Sequence, residues 1–136
     1  MQTVFQNMVT AAIFLLVAGA CASSFTDSVP LEERLFKRGF VIGQPVKRIK
    51  EYKINGWNSL DRRHVTISIG ASRSYLVTLR DNCDGLRSAE TIAFNTTVGG
   101  LTDWDTLLVR GSGRYLERCY IESIHALRKI RKPTIN

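Results

Sequence analysis

Histidine is almost absent from this chain: His64 and His125 are the only two in 136 residues. A zinc-type centre needs three or four imidazole or thiolate ligands at set spacings. Neither histidine has such a partner, so no metal and no cofactor is expected. Basic residues are missing before Arg34 and acidic ones before Asp27, which leaves the first 26 residues without side-chain charge. The apolar run at residues 8–20 has 13 residues, short of the ~20 that span a bilayer. No internal repeat and no low-complexity tract occurs. Gly111 and Gly113 lack the strand, helix and acidic residue of a nucleotide fingerprint and are expected to form a turn.

What is present defines a small exported domain. Apolar residues make up 44% of the chain, enough to bury one core. Nineteen Lys and Arg against twelve Asp and Glu give a net charge of +7. Such a balance favours anionic partners: acidic lipid, lipopolysaccharide or an acidic envelope protein. Nucleic acid is not expected, since export removes the chain from it and no basic motif is interleaved with aromatics.

The 13 apolar residues suit a signal-peptide core followed by small residues. Ala18-Gly19-Ala20-Cys21 resembles a bacterial lipoprotein signal, in which cleavage precedes a cysteine whose sulfur takes a diacylglycerol. The resemblance implies lipidation at Cys21 and a membrane anchor. Ala22, in place of aspartate, implies the periplasmic side of the outer membrane. Ordinary signal cleavage at Ala18-Gly19-Ala20 or Ala20-Cys21-Ala22 is the alternative. Three cysteines are an odd number for an exported protein. With Cys21 consumed or removed, Cys83 and Cys119 are left to pair.

The expected organisation is a signal peptide at 1–20, a tether and short helix at 21–42, a β domain at 43–125 and a basic tail at 126–136. Pro30, Glu32 and Glu33 mark a helix start, Leu31, Leu35 and Phe36 its buried side, and Gly39 its end. Residues 46–54 are read as a strand with an irregular start, and Asn55-Gly56 as a turn. A hairpin follows at 64–79, with Val65, Ile67 and Ile69 on one face and Thr66 and Ser68 on the other. Further strands are expected at 91–94, 107–109 and 115–124, with one helical turn near Leu86 and a loop at 95–105. The fold class is mainly β: a small antiparallel five- or six-stranded barrel-like sheet with a short N-terminal helix.

Gly56-Trp57-Asn58-Ser59-Leu60-Asp61, the strand opening on His64-Val65, Tyr75-Leu76-Val77 leading to Cys83, and Cys119-Tyr120-Ile121 together resemble an uncharacterised family of small Gram-negative envelope proteins, catalogued as a domain of unknown function. That resemblance implies location and fold, and no activity.

Candidate binding residues are Trp57, Asn58, Asp61 and His64, an aromatic beside an amide, a carboxylate and an imidazole. Their structural reading has Trp57 closing the barrel, Asn58 in a turn, and Asp61 paired with Arg62 or Arg63. A second group is basic: Arg128, Lys129, Arg131 and Lys132 around Ile130, with Lys47, Arg48, Lys50 and Lys53 as a companion stretch. Asp103 and Asp105 flank Trp104 and could bind a cation or act as an acid/base pair, though a solvated turn is the simpler expectation. Asn95-Thr96-Thr97 matches a glycan acceptor that a bacterial envelope would not use. The expected function is a non-enzymatic binding or assembly module of the envelope. The alternatives are a small hydrolase using Asp61/His64 or Asp103/Asp105, and an inhibitor of a partner enzyme.

Overall fold

A computed structural model describes residues 29–50, 53–96, 99–111, 113 and 115–131. The expected signal peptide, Cys21 and Lys132 lie outside the described residues. The described residues form one short helix and nine strands: α1 (Leu31–Lys37), β1 (Phe40–Pro45), β2 (Arg48–Ile49), β3 (Ile54–Ser59), β4 (His64–Ile69), β5 (Arg73–Leu79), β6 (Ala89–Asn95), β7 (Leu101–Thr102), β8 (Thr106–Gly111) and β9 (Leu116–Lys129), with a 3-10 turn at Asp84–Ser88 between β5 and β6. The fold is mainly β, as expected. A curled antiparallel half-barrel runs β3-β4-β5-β9-β8-β6, β1 pairs with β9, and β2-β7 make a separate two-stranded ribbon.

The β4–β5 hairpin is the most regular element. His64 lies opposite Thr78 and Ile69 opposite Arg73, with no slip between them. Period-two alternation puts Val65, Ile67 and Ile69 on the inner face with Val77 and Leu79, all buried. Leu107, Val109, Ile121 and Ile124 complete the inner core, and Ile49 and Leu101 of the ribbon join it.

Strand β9 holds the sheet together, pairing with β8 over its first half, with β5 from Ile121 to Leu127, and with β1 at its end. Thr78 faces Ser123 while Leu79 faces Ile121, so Glu122 is an extra residue. This bulge reverses the alternation. Cys119 and Ile121 face inward before it; Ile124 faces inward and Leu127 outward after it. Leu127 therefore meets Leu35 and Leu76 in a second apolar cluster on the outer face, with Leu31, Phe40, Ile42 and Leu60 around it. Helix α1 supplies the cover, and Leu35 is fully buried. Removing such a side chain from water stabilises by roughly 2–3 kcal/mol.

Several local expectations are corrected. Residues 46–54 are not one strand: β2 spans only Arg48–Ile49, and β3 begins at Ile54. Asn55-Gly56 is not a turn but part of β3, where a register irregularity lies between Ile54 and Gly56. Neither residue adopts positive φ, and the Asn55 amide donates to the Gly70 carbonyl at 2.8 Å. Pairing with β4 has overridden the local turn preference. The 95–105 loop contains β7, the final strand continues to Lys129, and β1 lies where the tether was expected to end. Thr66 lies on the face opposite Val65 and Ile67, as expected, and is buried there, its hydroxyl donating to the Asn58 carbonyl. Two glycines are required by close approach. A Cβ on Gly43 would sit 2.8 Å from the Ala126 carbonyl oxygen, and one on Gly100, at φ +123°, would collide with the Ile49 carbonyl.

Candidate functional site

The β3–β4 loop and α1 meet on the outer face, and there a group of half-buried charges comes together. Asp61 Oδ1 accepts from the backbone N–H of Arg63 at 2.7 Å and of His64 at 2.9 Å. The same oxygen lies 2.8 Å from His64 Nδ1. Asp61 Oδ2 pairs with the Arg34 guanidinium at 2.8 Å. Arg34 also donates to the Leu60 carbonyl. One carboxylate thus ties the helix, the loop and the first residue of β4 together.

Burial pushes the Asp61 carboxyl up. The Arg63 N–H, the hydrogen bond and charge of His64 and the charge of Arg34 outweigh it and hold the group below its ordinary value. The expected ion pair of Asp61 with Arg62 or Arg63 is not formed. Arg62 reaches Asp84 and Arg63 reaches Glu122. Arg34 takes Asp61 because α1 lays its Leu31/Leu35 stripe on the sheet and Arg34 lies within that stripe. A cation inside an apolar helix face was the signal in the sequence that could have identified it.

A carboxylate holding an imidazole by Nδ1 is the arrangement that orients a general base. The adjoining cleft, about 190 Å³, is lined by Arg34, Asp61, Arg62, Arg63, His64 and Asn82. No hydroxyl or thiol is among these described lining residues. Each arginine there is engaged by a carboxylate.

Trp57 and Asn58 do not complete the site. Both lie in β3, opposite Ile67 and Thr66. Trp57 packs on the inner core, while Asn58 is exposed on the other face. The expected turn around Asn58 is a strand. The aromatic–amide–carboxylate cluster is therefore split by the sheet itself.

Asp105 is not solvated. It is buried, with Oδ2 accepting from the Thr102 N–H at 2.7 Å and the Thr102 hydroxyl at 3.1 Å. Its carboxylate shapes the β7–β8 turn and leaves Trp104 outside. Cys83, Glu117 and Cys119 come within 4.8 Å of one another. The two sulfurs are joined as a disulfide whose Cα atoms are 5.9 Å apart. Glu117 accepts from Gly85 N–H at 2.6 Å. These are the bonds of a closed structural knot, not of a metal centre.

Arg128 and Lys129 are exposed at the end of β9, opposite Val41 and Phe40 of β1, and Arg131 is exposed beyond them. Ile130 is half-buried, and its N–H donates to the Gly39 carbonyl. That bond holds the tail's start against the turn between α1 and β1. Lys47, Arg48, Lys50 and Lys53 are exposed around β2.

A model of a family of unknown function, DUF6491, matches residues 4–132, and the chain belongs to that family. No curated protein matches it. No solved structure matches it either.

Proposed function

We propose that this family member is an exported, lipid-anchored domain of the bacterial envelope that works as a non-enzymatic binding or assembly module. The observation that carries the reading is the buried Cys83–Cys119 disulfide, with both residues in the inner core. Disulfides of this kind persist in oxidising compartments and are rare in the cytosol. The charge-free apolar start of the chain, ending at Cys21, is the matching address.

The use made of the carboxylates supports binding over hydrolysis. Asp61 is saturated by two backbone N–H groups, an imidazole and a guanidinium. Asp105 is spent on its own turn. An acid/base pair needs a carboxyl with a face open to substrate.

The test is the intact mass of protein extracted from membranes. The expected species begins at Cys21 and carries acyl chains. A soluble species beginning at Ser23 without lipid would overturn the anchoring.

A further inference from the structure

Helix α1 covers the outer face of the sheet only where β1, β5 and the second half of β9 meet. The outer face of β6, β8 and the first half of β9 has no cover among the described residues. Cross-strand register places three rows there: Tyr120, Thr106 and Asn95; Arg118, Leu108 and Ala93; Leu116, Arg110 and Thr91. None of these nine residues is acidic. Arg110 and Arg118 are exposed, and among the described residues no carboxylate pairs with either. Arg80, whose N–H donates to the Tyr120 carbonyl, lays its guanidinium over the Tyr120 ring at 5.9 Å.

Large apolar groups lie on this face or at its edge. Tyr120 is 56% and Leu116 40% exposed. Trp104 is 86% exposed and heads the turn into Thr106, the residue opposite Tyr120. The turn is held by the buried Asp105 and by the Thr102 hydroxyl, which accepts from the Trp104 N–H. Trp104 is therefore exposed on a fixed support. Thr102 lies opposite Arg48 in the ribbon, so a further cation borders the same rim.

We infer that this uncovered face docks on the anionic head groups of a bilayer, with Arg80, Arg110 and Arg118 taking phosphates and Trp104, Tyr120 and Leu116 entering at head-group depth. The inference builds on the membrane residence proposed above. The chemistry is specific in three ways. All three cations are arginines, whose planar fork matches phosphate oxygens. Trp and Tyr prefer the interfacial zone, with the ring in the apolar layer and the polar edge in water. The absence of carboxylates across the three rows removes the repulsion an anionic surface would otherwise meet.

The test uses the unlipidated full-length chain with vesicles of brominated phosphatidylcholine, alone or mixed with brominated phosphatidylglycerol. Tryptophan quenching is expected on the anionic vesicles, weakly on the neutral ones, and Trp104→Phe should remove it, since Trp57 is packed on the core. Arg110→Gln with Arg118→Gln should weaken partition by about fivefold per arginine at low salt, without changing the unfolding midpoint. Equal quenching on neutral and anionic vesicles would overturn the inference. So would sedimentation with vesicles while Trp104 stays unquenched, which puts another face against the lipid. So would binding lost on changing Arg128, Lys129, Arg131 and Lys132 to Gln but kept without Arg110 and Arg118. No association at all would likewise overturn it and leave a protein as the occupant. None of these outcomes depends on acylation of Cys21, so this inference and the anchoring fail separately.

Discussion

The two ends of the sheet's outer face show what a lid of seven residues does. Under α1, Leu35, Leu76 and Leu127 exclude water, and the charges at the lid's edge are locked to one another through Asp61. At the other end, Leu116, Arg118 and Tyr120 alternate on the same strand, exposed, with none of the described residues over them. The bulge at Glu122 divides the halves, because only beyond it does Leu127 come round to the outer side. One strand thus carries a stability face and an interaction face in sequence. Substitutions at the covered end should cost stability, and those at the open end should cost binding alone.

The largest effect should come from the inner side of the open end. Replacing Cys83 and Cys119 with Ala opens a loop with a sequence separation of 36. In the chain-entropy model this costs about 4 kcal/mol. Urea unfolding of oxidised protein against the variant measures it, and free thiols at Cys83 and Cys119 in protein purified without reductant would contradict the pairing. Leu35→Ala comes next, at about 3 kcal/mol, since it empties the centre of the second cluster. Dye binding to the newly loosened outer face should rise with it.

Asp61→Ala should cost about 2 kcal/mol, because it leaves a half-buried guanidinium without its carboxylate and two N–H groups without their acceptor. The pH dependence follows from the direction of the shift. The folded carboxyl titrates below its unfolded value, so its contribution is complete above about pH 4 and is lost as pH falls through the lower folded value. Acid unfolding of the wild type and of Asp61→Asn should therefore converge below that range. At the bottom of the scale, Arg110→Gln, Arg118→Gln and Trp104→Phe should each change stability by less than about 0.5 kcal/mol.

The sequence was most legible where one period ran unbroken. The β4–β5 hairpin could be read residue by residue, because Val65, Ile67 and Ile69 alternate cleanly and Gly70, at φ +63°, turns the chain. The disulfide was legible from cysteine arithmetic. Residues 46–54 were not, because Val46 packs on the core from the link between β1 and β2, Ile49 from β2 and Ile54 from β3, and they share no single period. Asn55-Gly56 misled because a bulge and a turn draw on the same permissive residues. The Asp61–His64 contact lies within one loop, so local reading brought those residues close. Its third member did not follow, since Arg34 lies 26 residues from Leu60 and arrives only when α1 docks. The open face was invisible in the sequence. Arg110 and Arg118 become neighbours through β8–β9 register, and Arg80 meets Tyr120 across 40 positions.

The division of the outer face is tested most directly by measuring unfolding midpoint and partition onto anionic vesicles on the same two variants, Asp61→Ala and the Arg110→Gln/Arg118→Gln pair. Asp61→Ala is expected to lower the midpoint while the folded fraction still binds as the wild type does. The arginine pair is expected to keep the midpoint and lose binding. Binding lost with Asp61→Ala in fully folded protein, or kept in the arginine pair, would contradict the account.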